Sequence, residues 1–511
     1  MAKHLPEFLP VQTRFNPSLA KALLVALFAI LVLLPLWMVR YPPLIDYPDY
    51  LARAFIITHL KDPAYQFSDF YSTQWGPYPY LGTDLSLIAL QHLLPAEAAG
   101  RVLLSICVIA VPMAGWWFLR KANPGHAALA LWALLLCYDP FFLDGFVNFQ
   151  LGLALCFFTS GWWLRYLEKP TTVRWIALLA LATCVYFTHL IAFGITGFVV
   201  LAYSLARRLN LRQILWSWGV FVPGVILFFV WHTSSHDGAE IAFRSLPQKF
   251  FAARAELLRS YSLRFAVAAF CVIVICIFGA WFGNREFHWN RTWLIVFLAT
   301  LGLYLALPNE IEGIWMIDVR LVPALFLLLL GVAQLGHRQR VLAFVAILLC
   351  GIRTVDVARN FRLQQAGLSN TEAAIQMLPR GARVLPIINV DIVNDDLLHQ
   401  FYGHFWEYAI IQRGVLAPFR LDLQGQTPLR FNDQAYIPDD PETWPPNWKE
   451  VCDHYDYVWT YAADYYNRYL LGCGTEVYHS GRMRLFRLEN GGKSTQPLGR
   501  AAGARAILLF L

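Results

Sequence analysis

A chain of 511 residues with 58% hydrophobic and only 15% charged content is not a soluble globular protein, in which about 25% of residues carry charge. Its formal net charge of +7 lies in short basic clusters between apolar runs, the pattern of cytoplasmic membrane loops, and leaves no nucleic-acid footprint. Composition therefore predicts a polytopic α-helical membrane protein.

The first apolar run, Leu19 to Val39, follows a few basic residues (Lys3, Arg14, Lys21). It is long for a signal-peptide core and lacks a clear small-residue cleavage site, so it reads as the first retained span. Directly after it comes Tyr-Pro-Pro-Leu-Ile-Asp-Tyr-Pro-Asp-Tyr-Leu-Ala-Arg, Tyr41 to Arg53. Asp46 and Asp49 stand there at the membrane surface, in a segment stiffened by Pro42, Pro43 and Pro48. A carboxylate fixed in that way suits a general base, because a base must be positioned before its pKa matters. Ordinary solvated loop is the plainer reading of the same residues.

Basic clusters at Arg120-Lys121, Arg165 to Arg174, Arg207 to Arg212, Arg285 to Arg291 and His337 to Arg340 mark the cytoplasmic side. An even number of spans must separate neighbouring clusters. On that parity, residues 40–99 form a long first outer loop, with a surface helix at Leu81 to Leu94. Spans follow at Gly100 to Leu119, His126 to Tyr138 and Leu151 to Leu164. A pair lies within Val173 to Leu205, turning at Thr188-His189. The rest are Ile214 to Trp231, Leu263 to Phe282, Thr292 to Leu307, Val319 to Leu335 and Val341 to Ile352. The reading is of about eleven transmembrane helices in a multi-pass protein of the cytoplasmic (inner) membrane, with a cytoplasmic N-terminus.

Residues 1–355 thus form the transmembrane part, and 356–490 read as a small C-terminal α/β domain on the extracytoplasmic, periplasmic side. Strands are expected at Arg383 to Asn389 and Tyr455 to Tyr461, with a hairpin of Glu476 to His479 and Met483 to Leu488 turning at Ser480-Gly481. Helices are expected at Thr371 to Leu378 and Asp395 to Ile411. The Gly/Ala/Arg-rich residues 491–511 read as a disordered tail. Of the nine cysteines, only Cys452 and Cys473 lie in the polar part. In an oxidising compartment they are expected to form a disulfide.

Ionisable groups are nearly absent from span interiors and collect on the outer face: Asp46, Asp49 and Arg53; Asp139, Asp144 and Asn148; His189; Glu310, Glu312, Asp318 and Arg320. They point to one outer-facing site, although any outer surface shows such residues. The loop His232 to Arg264 carries Arg244, Lys249, Arg254, Arg259 and Arg264 on the outer side, against the positive-inside trend. Either the topology differs there or those cations have an anionic partner, lipid headgroups being the plain one. Arg320, at the outer end of a span, either snorkels to headgroups or holds a phosphate by its guanidinium fork.

The stretch Asp46-Tyr-Pro-Asp49-Tyr-Leu-Ala-Arg53 and, more loosely, Arg320-Leu-Val-Pro323 resemble the GT-C class of integral membrane glycosyltransferases. The resemblance implies a sugar donor carried on polyprenyl phosphate and a glycan, lipid or protein acceptor at the extracytoplasmic face. It further implies an inverting transfer in which a first-loop acid is the base: Asp46, with Asp49 as runner-up. Arg53, Asp139, His189 and Arg320 are then the candidates for substrate binding. No cofactor is certain, and a divalent metal stays open, since the two acids are spaced three apart where many members of the class have adjacent ones. The rivals are a lipid or polysaccharide transporter or flippase and a non-catalytic envelope assembly protein. The absence of an internal repeat and the collection of polar groups at one surface count against the transporter.

Overall fold

The computed structural model describes residues 17–232, 241–282, 288–311, 314–334, 339–389, 400–418, 426–432 and 447–489. The expected tail 491–511, Glu312, the basic residues Arg285 and His337, and the beginning of the expected helix Asp395 to Ile411 lie outside them.

The chain is predominantly helical. Among the described residues, Ala96–Ala122 and Gln339–Met377 are long and apolar enough to cross a bilayer. Two further candidates are bent pairs, Leu211–Gly219 with Val222–Trp231 at 50° and Leu246–Leu258 with Leu263–Cys276 at 103°. Shorter apolar helices include Thr172–Thr188, Leu190–Ala206 and Arg291–Ala306. By length and composition, then, two helices qualify outright, and up to four spans if each bent pair is one. The expected span His126 to Tyr138 is a 3-10 helix, Pro124–Leu136. Exposed Leu23, Leu24, Val25, Leu27 and Ile30 on the first helix, and Val341, Phe344 and Leu348 on the long one, are surfaces that lipid would cover.

The long helix Gln339–Met377 alters one expectation. Residues 355 and 356 read as the boundary between the transmembrane part and a separate domain, yet the helix passes through it, carrying Arg353 and Asp356, and continues to the expected helix Thr371 to Leu378. Both groups are hydrogen-bonded from the side. Arg353 donates to the carbonyls of Leu135 (2.6 Å), Leu257 (3.2 Å) and Arg259 (2.8 Å). Asp356 accepts from Ser260 Oγ (2.6 Å) and Ser262 N (3.1 Å). The polar pair at the expected boundary is a clamp on the bend between Leu246–Leu258 and Leu263–Phe282.

Beyond this helix, four strands form one sheet in the order Val384–Ile388, Tyr457–Tyr461, Met483–Leu488, Gly474–Ser480. The first pair is parallel and the others antiparallel. The hairpin turns at Gly481, whose φ of +59° suits glycine. In place of one helix reaching Ile411 there are two 3-10 turns, Phe401–Gly403 and Phe405–Glu407, and a short helix Tyr408–Arg413 that ends at Gly414.

This region is fastened to the first loop. Strand Tyr71–Thr73 pairs with Leu429–Phe431, and the Tyr41 ring meets Phe405 and Tyr408 edge-on at 5.1 and 4.7 Å. Gln412 Nε2 donates to Tyr41 Oη (2.8 Å), and Gln365 bonds the Tyr41 backbone. The 3-10 turns are thereby held over the start of the helix Tyr47–Thr58.

Cys452 and Cys473 form a disulfide, with Cα atoms 6.2 Å apart and a sequence separation of 21. Closing a loop of that size restricts the unfolded chain by about 3 kcal/mol. Cys452→Ser with Cys473→Ser is expected to lower the thermal unfolding midpoint measurably and to speed proteolysis between residues 447 and 489; an unchanged midpoint would show the bridge to be neutral.

Candidate active site

The helix Tyr47–Thr58 starts where Pro48, at one of its first positions, supplies a pre-set φ and lacks an N–H that would be unsatisfied there anyway. Asp46 is the residue before it, at φ −87° and ψ −6°, and its side chain makes no capping hydrogen bond. The carboxylate is therefore not consumed by the helix end, and its side chain is 14% exposed. Its backbone N–H donates to Asp144 O (3.0 Å). That approach requires Gly145, at φ +82°, because a Cβ there would lie 2.6 Å from the backbone nitrogens of Asp46 and Tyr47.

Asp49 and Arg53 are committed to each other. Arg53 Nη1 meets Asp49 Oδ2 at 2.6 Å, and its Nε and Nη2 reach Asp84 Oδ1 at 3.1 and 3.0 Å, all three side chains being buried. One arginine between two carboxylates is a structural network, with two charges already answering its own. The runner-up base and the first-loop cation are thus tied up in the packing of the first loop, and the structure does not bring Arg53 to Asp46 as an available cation.

Asp139 is also buried and serves the backbone. It caps the short helix Pro140–Leu143 by accepting from Phe142 N (2.9 Å), and it accepts from Gln150 Nε2 (2.5 Å). Burial pushes its carboxyl up to about 7. Its part is to shape the turn that carries Asp144 and Gly145.

His189 breaks the helical pair at the expected place, capping Leu190–Ala206 with Nδ1 accepting from Ile191 N (3.2 Å). Its ring lies edge-on between Tyr80 (5.2 Å) and Phe149 (5.1 Å). Gly152 makes room for it, since a Cβ there would be 2.6 Å from His189 Cβ.

Arg320 is the cation left available. It sits in the 3-10 turn Val319–Leu321, over the rings of Phe146 (5.4 Å) and Phe149 (5.9 Å). Among the described residues it has no ion pair, and its Nε is buried without a hydrogen bond. It lies within electrostatic reach of Tyr80, Tyr50 and Asp46.

Three of the five cations named in the loop His232 to Arg264, namely Arg244, Lys249 and Arg259, have partners within the protein. Arg244 and Lys249 hold Asp318 at 2.5 and 2.9 Å, and Lys249 also donates to the carbonyls of Tyr304 and Leu307. Asp318 begins the turn that carries Arg320. Arg259 pairs with Asp144 and, at 3.9 Å, with Glu256. Arg254 and Arg264 remain exposed.

The residue that sequence reasoning missed is His404. Its Nε2 lies 3.6 Å from Asp46 Oδ1 and its Nδ1 2.9 Å from Glu407 Oε1, with both side chains almost fully buried. The sole local signal is the i, i+3 spacing of His404 and Glu407; nothing in the sequence ties either to Asp46. Burial, first of all, pushes the Asp46 carboxyl up to about 7; His404 opposes this, while Asp49, Asp144 and Glu407 add to it. A carboxylate poised near neutrality can take a proton and release it. Among the described residues no group of three or more His, Cys, Asp or Glu side chains is arranged to hold a metal ion.

No family model matches the chain and no curated protein matches it in sequence. Two solved structures share its fold over nearly the whole length. ArnT from Cupriavidus metallidurans bound to undecaprenyl phosphate has 12% identity and a TM-score of 0.54, covering 92% of this chain and 98% of its own. ArnT from the same organism in the apo state has 11% identity and a TM-score of 0.55, covering 91% and 98%. The chain adopts the fold of these ArnT structures over nearly its whole length.

Proposed function

We propose that the protein is a glycosyltransferase that moves a sugar from a polyprenyl-phosphate carrier to an acceptor at the extracytoplasmic face of the inner membrane. What carries the reading is one pairing: a neutral-range carboxylate, Asp46, within electrostatic reach of a half-buried arginine, Arg320, that has no anion of its own among the described residues. The ArnT structure with undecaprenyl phosphate supports the class of donor.

The chemistry follows from the groups. Asp46 takes the acceptor hydroxyl proton as the acceptor oxygen attacks the anomeric carbon from the face opposite the phosphate. The carbon–oxygen bond to the phosphate breaks with its electron pair, and Arg320 stabilises the phosphate that departs. A second acid is unnecessary, because phosphate is already a stable anion. Direct displacement inverts the anomeric configuration. Arg320 is held for this by Phe146, Phe149 and the Asp318 turn, which Lys249 and Arg244 brace from behind.

Because the base must be ionised, kcat is expected to rise with pH through about 7 and level off above it. The test of the reading is a density map of the protein with undecaprenyl phosphate. A headgroup at Arg320, beside Asp46, supports the transferase; a headgroup at mid-membrane, away from both, overturns it in favour of a transporter.

A further inference from the structure

We propose that His404, oriented by Glu407, is a positioning residue for Asp46 that receives the proton Asp46 takes from the acceptor. The inference rests on Asp46 being the base and extends it to a part of the chain about 350 residues away in sequence, the region that carries the extracytoplasmic sheet.

The geometry is a line of three groups, with a carboxylate at each ring nitrogen of one imidazole. Glu407 Oε1 at 2.9 Å from Nδ1 sets the ring orientation. Asp46 Oδ1 at 3.6 Å from Nε2 is an ionic contact, longer than a hydrogen bond. Catalytic contacts commonly start long and tighten when substrate binds. The proton count is complete: the acceptor O–H bond breaks towards Asp46, the proton passes to Nε2, and the imidazolium is stabilised at Nδ1 by Glu407. Asp46 returns to its carboxylate form without contact with bulk water.

His404 cannot move freely. It lies between two 3-10 turns that Tyr41 anchors through Phe405 and Tyr408, and its side chain is 4% exposed. The charged groups facing Asp46 are Asp49 from its own helix, Asp144 from the turn before Val147, Glu407 and His404 from the 3-10 turns, and Arg320. Among the groups packed near it, neutral His404 offers at Nε2 the base to which the Asp46 proton can pass, and it becomes an opposing charge on receiving it.

The test reads Asp46 directly. A water-soluble carbodiimide with glycine methyl ester modifies carboxyl groups in their protonated form, so peptide mass spectrometry across a pH series gives the protonation midpoint of Asp46 in the purified full-length protein. The wild-type midpoint is expected near 7. His404→Gln should raise it by about one pH unit, because the imidazole that takes the proton over from Asp46, and then opposes it as a cation, is removed. His404→Asn, which retains a donor towards Glu407, should do the same and covers the case in which the Gln variant fails to fold. A folded His404 variant with an unmoved midpoint overturns the proposal. That result is separable from failure of the transferase reading, for which the measure is turnover by Asp46→Asn.

Discussion

Asp46→Asn is expected to slow glycosyl transfer a hundredfold or more while leaving expression and thermal stability near wild type. The amide keeps the shape of the carboxylate and its capacity to accept a hydrogen bond, and loses only its basicity. Stability should hold because the Asp46 side chain caps nothing and its ionic contact among the described residues is the 3.6 Å approach of His404. Asp49→Asn is the contrasting variant. It removes one of the two carboxylates on buried Arg53, a kind of change that costs about 3 kcal/mol or more, so it should reduce stability before it reduces chemistry. Transfer assayed with an undecaprenyl-phosphate-linked sugar that the wild type uses is the measurement. Near-normal turnover by Asp46→Asn would remove Asp46 from the chemistry, and loss confined to a folded Asp49 variant would move the base three residues along.

Arg320→Ala is expected to reduce kcat about a hundredfold, the usual scale for losing a preorganised donor to a developing anion. Arg320→Lys should fall between that variant and wild type. It keeps the charge, but a single ammonium cannot reproduce the two-point fork that engages phosphate, nor stack as a plane over Phe146 and Phe149. Neither change should unfold the protein, since among the described residues Arg320 has no ion pair to break. Stability, measured beside turnover, separates the two kinds of effect. Full activity in Arg320→Ala would end the assignment of phosphate to this arginine.

The burden of the site falls differently on its residues than their spacing suggests. Asp46, Asp49 and Arg53 are neighbours in one short motif, and in the sequence only the family resemblance ranks Asp46 ahead of Asp49. Packing does so independently: Arg53 finds Asp84 as well as Asp49, and the three are buried together, which leaves Asp46 as the motif's partly exposed acid. The cations after His232 show the same division. Their position against the positive-inside trend signals an anionic partner, but only the fold identifies it as Asp318, Asp144 and Glu256.

What the sequence determined by itself was local. Runs of apolar residues set the helices, and His189 interrupts a run too long for one crossing because its ring nitrogen can cap the next helix. Alternating apolar residues and Gly481 set the hairpin of Gly474–Ser480 and Met483–Leu488, since side-chain period and a left-handed turn residue are properties of a few adjacent positions. Only the tertiary structure decided the continuity of Gln339–Met377 through Arg353 and Asp356, and the meeting of Asp46 with His404. Both depend on hydrogen-bonding and charged groups supplied from distant segments: carbonyls near Leu135 and Arg259, and an imidazole held by Glu407. A polar side chain carries no local mark of whether water or a remote partner will satisfy it, and that choice is made when the helices close around it.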